Sequence, residues 1–443
     1  MDKKINLLEG TIWTQILFFF FPILIGTFFQ QLYNTVDTII VGQYVGTNAL
    51  AAVGSTGNLT ALVTTFFVGL ASGSSVVIAQ YFGADDEKRV GIAVHTSYAL
   101  GIVSGFIFTV FGLLCSYSCL KLIGVPGDIL NDSTVYMQIY FLNMIPGAIY
   151  NIGAGILRAI GDSKTPLYHL IIACIVNIVL DVVFVVYMDM GIIGAAIATD
   201  VAQVISAVLV TVKLMRTHGC YHLNWRDIRF NMPILEHIIR IGMPAGIQST
   251  LYSISNLVLQ SYINAFGTTI IAAWAVYTKI DALFWMIMTA FGAAITTFVG
   301  QNYGAGRYDR VQKGARSSLV MTLVSAGIVS GFLFVFGNSI SSLFSSDMNI
   351  IRECGKMISF LTPFYFTYCC VEVYSGTIRG CGESLKPMII VCLGVCVLRI
   401  IWVMSVTPFF HTFNWVIVSY PITWTTTSLL FIFYYHSFKK KHF

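Results

Sequence analysis

The sequence predicts an all-α polytopic membrane protein, with about twelve transmembrane helices in two parallel, pseudo-symmetric six-helix lobes. Three observations predict it. Charged residues make up 10% of the 443-residue chain and hydrophobic residues 56%, with a mean hydropathy of +0.79. Soluble domains carry roughly a quarter charged residues, so a soluble fold of this size would lack the charges to cover its surface. The apolar residues fall in runs of about 20 or more, each long enough to cross a ~30 Å hydrocarbon core as a helix; the short alternating segments of a membrane β-barrel are absent. Third, blocks of sequence recur at one fixed distance, the mark of an internal repeat.

The spans are expected at about 12–42, 49–79, 91–120, 135–157, 166–187, 192–214, 238–265, 271–299, 315–343, 354–377, 388–408 and 413–436. The first run, after Lys3 and Lys4, is too long for a cleaved signal, contains Pro22 and lacks a small-residue cleavage site, so it reads as a retained helix. Turn and charge signals fill the connections: "GADDEKR", "RAIGDSKTP", "GAGRYDRVQKGAR" and "RGCGESLKP". The longest polar stretch, 213–240, divides the chain near its middle, which sets an N-lobe at 1–215, a cytoplasmic linker at 216–237 and a C-lobe with a basic tail at 238–443. The ten cysteines sit mostly in apolar runs with no CxxC pair, so they read as small packing residues, and neither a disulfide framework nor a metal centre is expected.

Lys and Arg set the orientation. All but Lys121, Lys279, Arg352, Lys356 and Arg399 fall at the N-terminus, after even-numbered spans or in the "KKK" tail. The positive-inside rule then places both termini and the mid-chain linker in the cytoplasm of a cell (inner or plasma) membrane protein. The net charge of +5 is a topology signal, and nothing points to nucleic acid.

"GTNALAAVGSTGNLTALV" at Gly46 aligns with "GTTIIAAWAVYTKIDALF" at Gly267, "AQYFGADDEKRV" at Ala79 with "GQNYGAGRYDRV" at Gly300, and "RAIGDSKTP" at Arg158 with "RGCGESLKP" at Arg379; each offset is 221 residues, and Pro22 pairs with Pro244 at 222. An even number of spans per repeat returns the chain to its starting side, so the halves are parallel, an arrangement suited to alternating access. No "GxxxxGK[ST]" occurs, so transport would run on an ion gradient and needs no cofactor.

Polar groups inside the spans mark the candidate site. Gln30, Asn34 and Asp37 follow i, i+4, i+7 spacing and form one stripe on the first helix. An intramembrane carboxylate is costly and faces a cavity or a partner. Asn177 and Asp181 share a face of the fifth span, and the sixth adds Thr199 and Asp200. Carboxylate, amide and hydroxyl oxygens suit a hard cation such as Na⁺; two apposed carboxylates equally suit a shared proton. A structural hydrogen-bond network between helices is the plainer alternative. The C-terminal half differs: Leu259 and Trp402 stand at the repeat equivalents of Asp37 and Asp181, and the charges within its spans are Lys279, Asp281, Glu372 and Arg399. These four, with Gln30 and Asn34, are candidates to line a substrate cavity, against the alternative of a buried salt-bridge network. Lys279 and Asp281 are two apart and do not share a helix face. Gly69/Gly73, Gly101/Gly105, Gly242/Gly246 and Gly327/Gly331 are small-xxx-small pairs expected at close helix crossings.

Over nearly its whole length the chain resembles the multidrug and toxic compound extrusion (MATE) family, through "LYNTVDTIIVGQYVGTNALAAVG", "AQYFGADD", "RAIGDSKTPL", "NIVLD" and "GIIGAAIAT". The resemblance implies a monomeric secondary antiporter that exports small organic cations or amphipathic drugs in exchange for H⁺ or Na⁺, and it maps a cation site onto Asp37, Asn177, Asp181 and Thr199. Some members of that family use C-lobe acids, which keeps Asp281 and Glu372 in view; Asp200 is outside the family pattern. The rival readings are a flippase for lipid-linked oligosaccharide, expected to need several basic cavity residues, a passive pore, and an intramembrane enzyme, for which no nucleophile–base pair is apparent.

Overall fold

The computed structural model describes residues 7–407, 409–410 and 412–443; Lys3 and Lys4, which contribute to the predicted orientation, lie outside the described residues. Twelve helical segments follow one another: α1 (Ile12–Val45), α2 (Thr47–Gly83), α3 (Glu87–Leu122), α4 (Gly127–Leu142 and Met144–Ala159), α5 (Lys164–Tyr187), α6 (Gly191–Arg216), α7 (Met232–Ile263), α8 (Thr268–Gly304), α9 (Tyr308–Ser341), α10 (Met348–Leu361 and Tyr365–Gly380), α11 (Leu385–Val406) and α12 (Phe413–His442). Among the described residues there are no strands. Nine of the segments among the described residues are long and apolar enough to cross a membrane, and α4, bent by 43° at Asn143, makes ten. The two that fall short do so for visible reasons: α7 carries Gln248, Ser249, Thr250, Ser253, Ser255 and Asn256 through its middle, and α10 is split by a 3₁₀ turn at Thr362–Phe364 into pieces of 14 and 16 residues, the first with Arg352, Glu353 and Lys356.

Local chemistry fixes the boundaries. Asp86 accepts from the backbone N–H of Arg89 at 3.0 Å and so caps α3; Asp162 accepts from both the N–H and the hydroxyl of Thr165, at 3.0 and 2.6 Å, and fastens the first turn of α5. Pro166 and Pro387 stand in the first turns of α5 and α11, where a missing N–H removes no helical bond. The repeat shows in backbone conformation as well: Gly161 and Gly382 have φ of +90° and +96° in the two equivalent turns, a region that a side chain would strain.

Packing divides the chain into two compact units, Phe21–Gly246 and Leu7–Phe20 with Ile247–Phe443. Within the first, α4 packs on α2, α3 and α6, α3 packs on α2, and α5 packs on α6; within the second, α10, α8, α9, α12 and α11 repeat that pattern six helices later. The packing division differs from the division by repeat. The first turns of α1 go with the second unit and the first turns of α7 with the first, and the changeover falls beside Pro22 and Pro244. In the second unit, Arg310 donates to Gly10 O at 3.0 Å and to Gln15 Oε1 at 2.9 Å, and Asn302 donates to Leu7 O at 3.1 Å. The 216–237 stretch is an ordered part of the first unit: Tyr221 and Leu223 are buried in its core, and the N–H groups of Asn224 and Asn231 donate to His95 Nε2 and Thr96 Oγ1 at 3.0 and 3.3 Å.

The glycine pairs behave as predicted with one exception. A Cβ on Gly69 would lie 2.3 Å from Gly246 N, and one on Gly73 2.5 Å from Ile238 O, so the Gly69/Gly73 and Gly242/Gly246 faces of α2 and α7 lie directly against each other. Gly101 and Gly105 meet α4 at 2.8 and 2.7 Å. Gly327 and Gly331 face no atom within 4 Å among the described residues, so that pair is not a close helix crossing.

Candidate functional site

Three helices of the first unit bring the predicted oxygen ligands together. Asp37 sits near the end of the regular part of α1, which closes with a π-helical turn at Val41–Val45. Asp181 ends the regular part of α5 and is followed at once by a second π-helical turn, Val182–Tyr187. Such turns widen the helix, interrupt its regular hydrogen bonding and concentrate at functional sites. The two π turns touch each other. Around them Ile40, Val41, Ile129, Val185 and Ile192 form an apolar cluster that also takes in Tyr136.

Beside that cluster Asp37 is 9% exposed, Asn177 1% and Asp181 0%. Asn177 Nδ2 donates to Thr199 Oγ1 at 3.5 Å, a long bond that ties α5 to α6. Asp37 lies close enough to Asp181 for their charges to repel, and the Tyr136 hydroxyl is within electrostatic reach of both. Asp37 Oδ1, Asn177 Oδ1 and both carboxylate oxygens of Asp181 are buried without a hydrogen-bond partner among the described residues. Native proteins leave few buried polar atoms unpaired, and each such atom calls for an explanation. A structural network would have paired these oxygens with one another or with backbone donors.

A cavity of about 160 Å³ lies in the same unit, lined in part by Gln30, Tyr33, Tyr140, Asn151, Thr199 and Gln203, with Arg158 as its one basic residue. Gln30 and Thr199 are therefore in the cavity wall, whereas Asn34 is exposed and is not part of that lining. Tyr33 lies within electrostatic reach of Asp37, and Asp200, half-buried with Oδ1 unpaired, within reach of Tyr140. Sequence reading missed Tyr33, Tyr136 and Tyr140. Tyr33 is four residues before Asp37, and Tyr136, Tyr140, Asn143, Gly147, Asn151 and Ala154 follow three- and four-residue steps along α4, so helical periodicity could have found them.

Three of the four candidates in the second unit surround one aromatic cluster: Asp281 and Arg399 are both within electrostatic reach of Tyr252 and Tyr420, and Glu372 and Arg399 of Tyr368. Lys279 is exposed and Asp281 buried, as their two-residue spacing demands. Asp281 accepts from Tyr365 Oη at 2.5 Å and from Trp285 Nε1 at 2.7 Å, which occupies both its oxygens. The Glu372 carboxylate lies against Gly292 of α8 and within electrostatic reach of Arg379. Arg399 is buried beneath Tyr420. The ion pairs among the described residues are Arg89–Asp86, Lys356–Glu353, Lys386–Glu383 and His442–Glu383, so none of the four takes part in a salt-bridge network. No group of three or more His, Cys, Asp or Glu side chains able to hold a metal occurs among the described residues.

Two repeated helical lobes, with unpaired polar oxygens buried inside apolar helices, match a secondary-transporter architecture. The family profile called MatE matches residues 22–183 and 244–404, once in each half, so the chain belongs to the MatE family and is a multi-pass membrane transporter, not an enzyme. It is 27% identical over 98% of its length to the Bacillus subtilis protein called probable multidrug resistance protein YoeA, 95% of which is covered. It is 22% identical to the multidrug export protein MepA of Staphylococcus aureus, over 91% of this chain and 90% of that one. The fold matches a crystal structure of MATE in the straight conformation at a TM-score of 0.93, with 22% identity, 100% of this chain and 99% of that chain covered.

Proposed function

We propose that the protein is a cation-coupled antiporter of the cell membrane, with both termini cytoplasmic, that exports small organic cations or other amphipathic compounds as Na⁺ or H⁺ moves inward. The observation that carries this reading is the set of buried, unpaired oxygens on Asp37, Asn177 and Asp181 beside Thr199. Their chemistry fits a Na⁺ ion, a hard cation that takes oxygen ligands, and it fits a proton shared between the two carboxylates. Relatives named as multidrug resistance and export proteins support the substrate class.

Mechanistically, an empty site leaves two repelling carboxylates in an apolar pocket, and a bound cation neutralises them. That difference lets the ion favour one arrangement of α1 over another; an ion with equal affinity for both arrangements would move nothing. Pro22 interrupts α1 where its packing changes from one unit to the other, which gives the helix a place to bend. The cavity of about 160 Å³ is smaller than the ~300–1,000 Å³ of drug-sized sites, so it holds water or a very small solute in this arrangement and must widen to accept a drug. A flippase for lipid-linked oligosaccharide would need more basic groups at its pyrophosphate than Arg158 supplies in this cavity.

Proteoliposomes holding a fluorescent organic cation test the reading. An imposed Na⁺ or pH gradient is expected to drive uphill movement by the wild type and none by Asp181→Asn. Wild type that ignores both gradients but translocates a lipid-linked sugar would replace the antiporter with the flippase.

A further inference from the structure

The guanidinium of Arg399, in α11, is a buried charge for which neither the repeat nor the proposed coupling site has a use. It is 1% exposed, and no carboxylate of the described residues pairs with it. Asp281, which reaches the same Tyr252 and Tyr420 as Arg399, already has both oxygens occupied by Tyr365 and Trp285. Arg399 Nη1 donates to Asn256 Oδ1 at 3.2 Å. Nε and Nη2 have no hydrogen-bond partner among the described residues. The Tyr252 hydroxyl lies just outside strict bonding geometry but faces the guanidinium as a hydrogen-bond acceptor, and its own proton is still free to donate. The Tyr420 and Tyr252 ring centres lie 4.2 and 5.8 Å from its central carbon. Cation–π contact offsets part of the cost of burying the charge, but it leaves the N–H donors unsatisfied.

The pattern of used and unused donors is specific. Nη1, at one end, is engaged by Asn256, while Nε and Nη2 form the side edge of the guanidinium, two parallel N–H groups whose spacing matches the two oxygens of a carboxylate. We propose that Arg399 anchors a carboxylate-binding subsite in the C-terminal half, with Tyr252 Oη as a third donor. One guanidinium balances one monovalent anion. Asn256 is exposed, so the charge lies one side chain below the protein surface, and the proposed ligand would enter past that amide. Tyr420 packs on Trp424 at 5.4 Å, which in turn packs on Trp285 at 6.0 Å, an aromatic wall suited to an aromatic acid or an amphipathic zwitterion. The subsite is separate from the Asp37–Asp181 group and stands or falls without it, because binding needs no ion gradient.

The test is the unfolding temperature of the full-length purified protein in detergent, followed by tryptophan fluorescence, as chloride is exchanged for benzoate at constant ionic strength with N-methylglucamine as cation. Benzoate is expected to raise it saturably by about 1–3 °C, and the uncharged isostere benzamide is expected to leave it unchanged. In Arg399→Gln the half-saturating concentration should rise about tenfold or more, while the unfolding temperature in chloride stays at or above wild type because an unpaired buried charge is gone. Asn256→Asp places a fixed carboxylate beside Nη1 and should abolish the benzoate response; it is isosteric at an exposed position, so it decides the matter if Arg399→Gln does not fold. No saturable response to benzoate, an equal response to benzamide, or a response that persists in both variants would overturn the proposal.

Discussion

Asp181→Asn should make the protein more stable while removing its coupling. The Asp181 side chain is fully buried, both its oxygens lack partners among the described residues, and the Asp37 charge lies close enough to repel it. An ion taken out of water costs several kcal/mol unless it is paired, and an unpaired buried polar atom costs about 1–3 kcal/mol. Asparagine keeps the shape, removes the charge and ends the repulsion, so the expected gain is about 1–3 kcal/mol, the lower end applying if the new amide also lacks partners. The assay is thermal unfolding in detergent, first in alkaline buffer free of Na⁺, where the carboxylates are ionised. Asp181→Asn should then unfold a few degrees above wild type. A saturating coupling ion should close the gap: at ten times its dissociation constant it stabilises the wild type by about 1.4 kcal/mol and the variant by much less. A variant that unfolds below wild type by the same margin in both buffers would show Asp181 to be a structural bridge between helices and refute the reasoning.

Gly69→Leu should disrupt the α2–α7 crossing, because even a Cβ there would sit 2.3 Å from Gly246 N; overpacking of that kind costs about 1–3 kcal/mol or more, read as lost monodisperse yield and a lower unfolding temperature. Gly327→Ala, on an open helix face, should instead gain up to ~1 kcal/mol from helix propensity. Tyr365→Phe removes the donor to Asp281 Oδ1 and should lower stability by about 1–3 kcal/mol, with Trp285 fluorescence reporting the change through its own bond to Asp281. Thr199→Ala should weaken the response to the coupling cation with little loss of stability, since its bond to Asn177 is long at 3.5 Å.

Much of the fold was legible because the membrane simplifies the physics. Every backbone polar group in hydrocarbon must be satisfied within its own helix or barrel, so apolar run length marks ten of the twelve described segments, and the 221-residue offset predicts the shared packing pattern that each unit displays. Gly69/Gly73 and Gly242/Gly246 were readable as a close crossing because only small residues permit one. Gly327/Gly331 carry the same spacing on a face that meets nothing, which shows that spacing reports opportunity and not a partner. The changeover of α1 and α7 between packing units was not legible, since helix propensity is the same whichever neighbour a turn touches. At the site, the spacing of Asp37, Asn177 and Asp181 was readable, but their lack of partners was not, because satisfaction depends on what neighbouring helices present. The π turns after Asp37 and Asp181 also escaped sequence reading, as "VGQYV" and "VVFVVY" carry no residue that distinguishes a π turn from an α turn.

The most direct test of the coupling claim is the reverse flux. Proteoliposomes loaded with an organic cation, at equal Na⁺ and pH on both sides, would be diluted into the same buffer lacking only the organic cation while radiolabelled Na⁺ and internal pH are followed. The account predicts that the outward organic-cation gradient pulls Na⁺ or H⁺ inward against its own equilibrium in wild type and not in Asp37→Asn. Organic-cation efflux by wild type with no counter-movement of either ion, or equal counter-movement in Asp37→Asn, would contradict it.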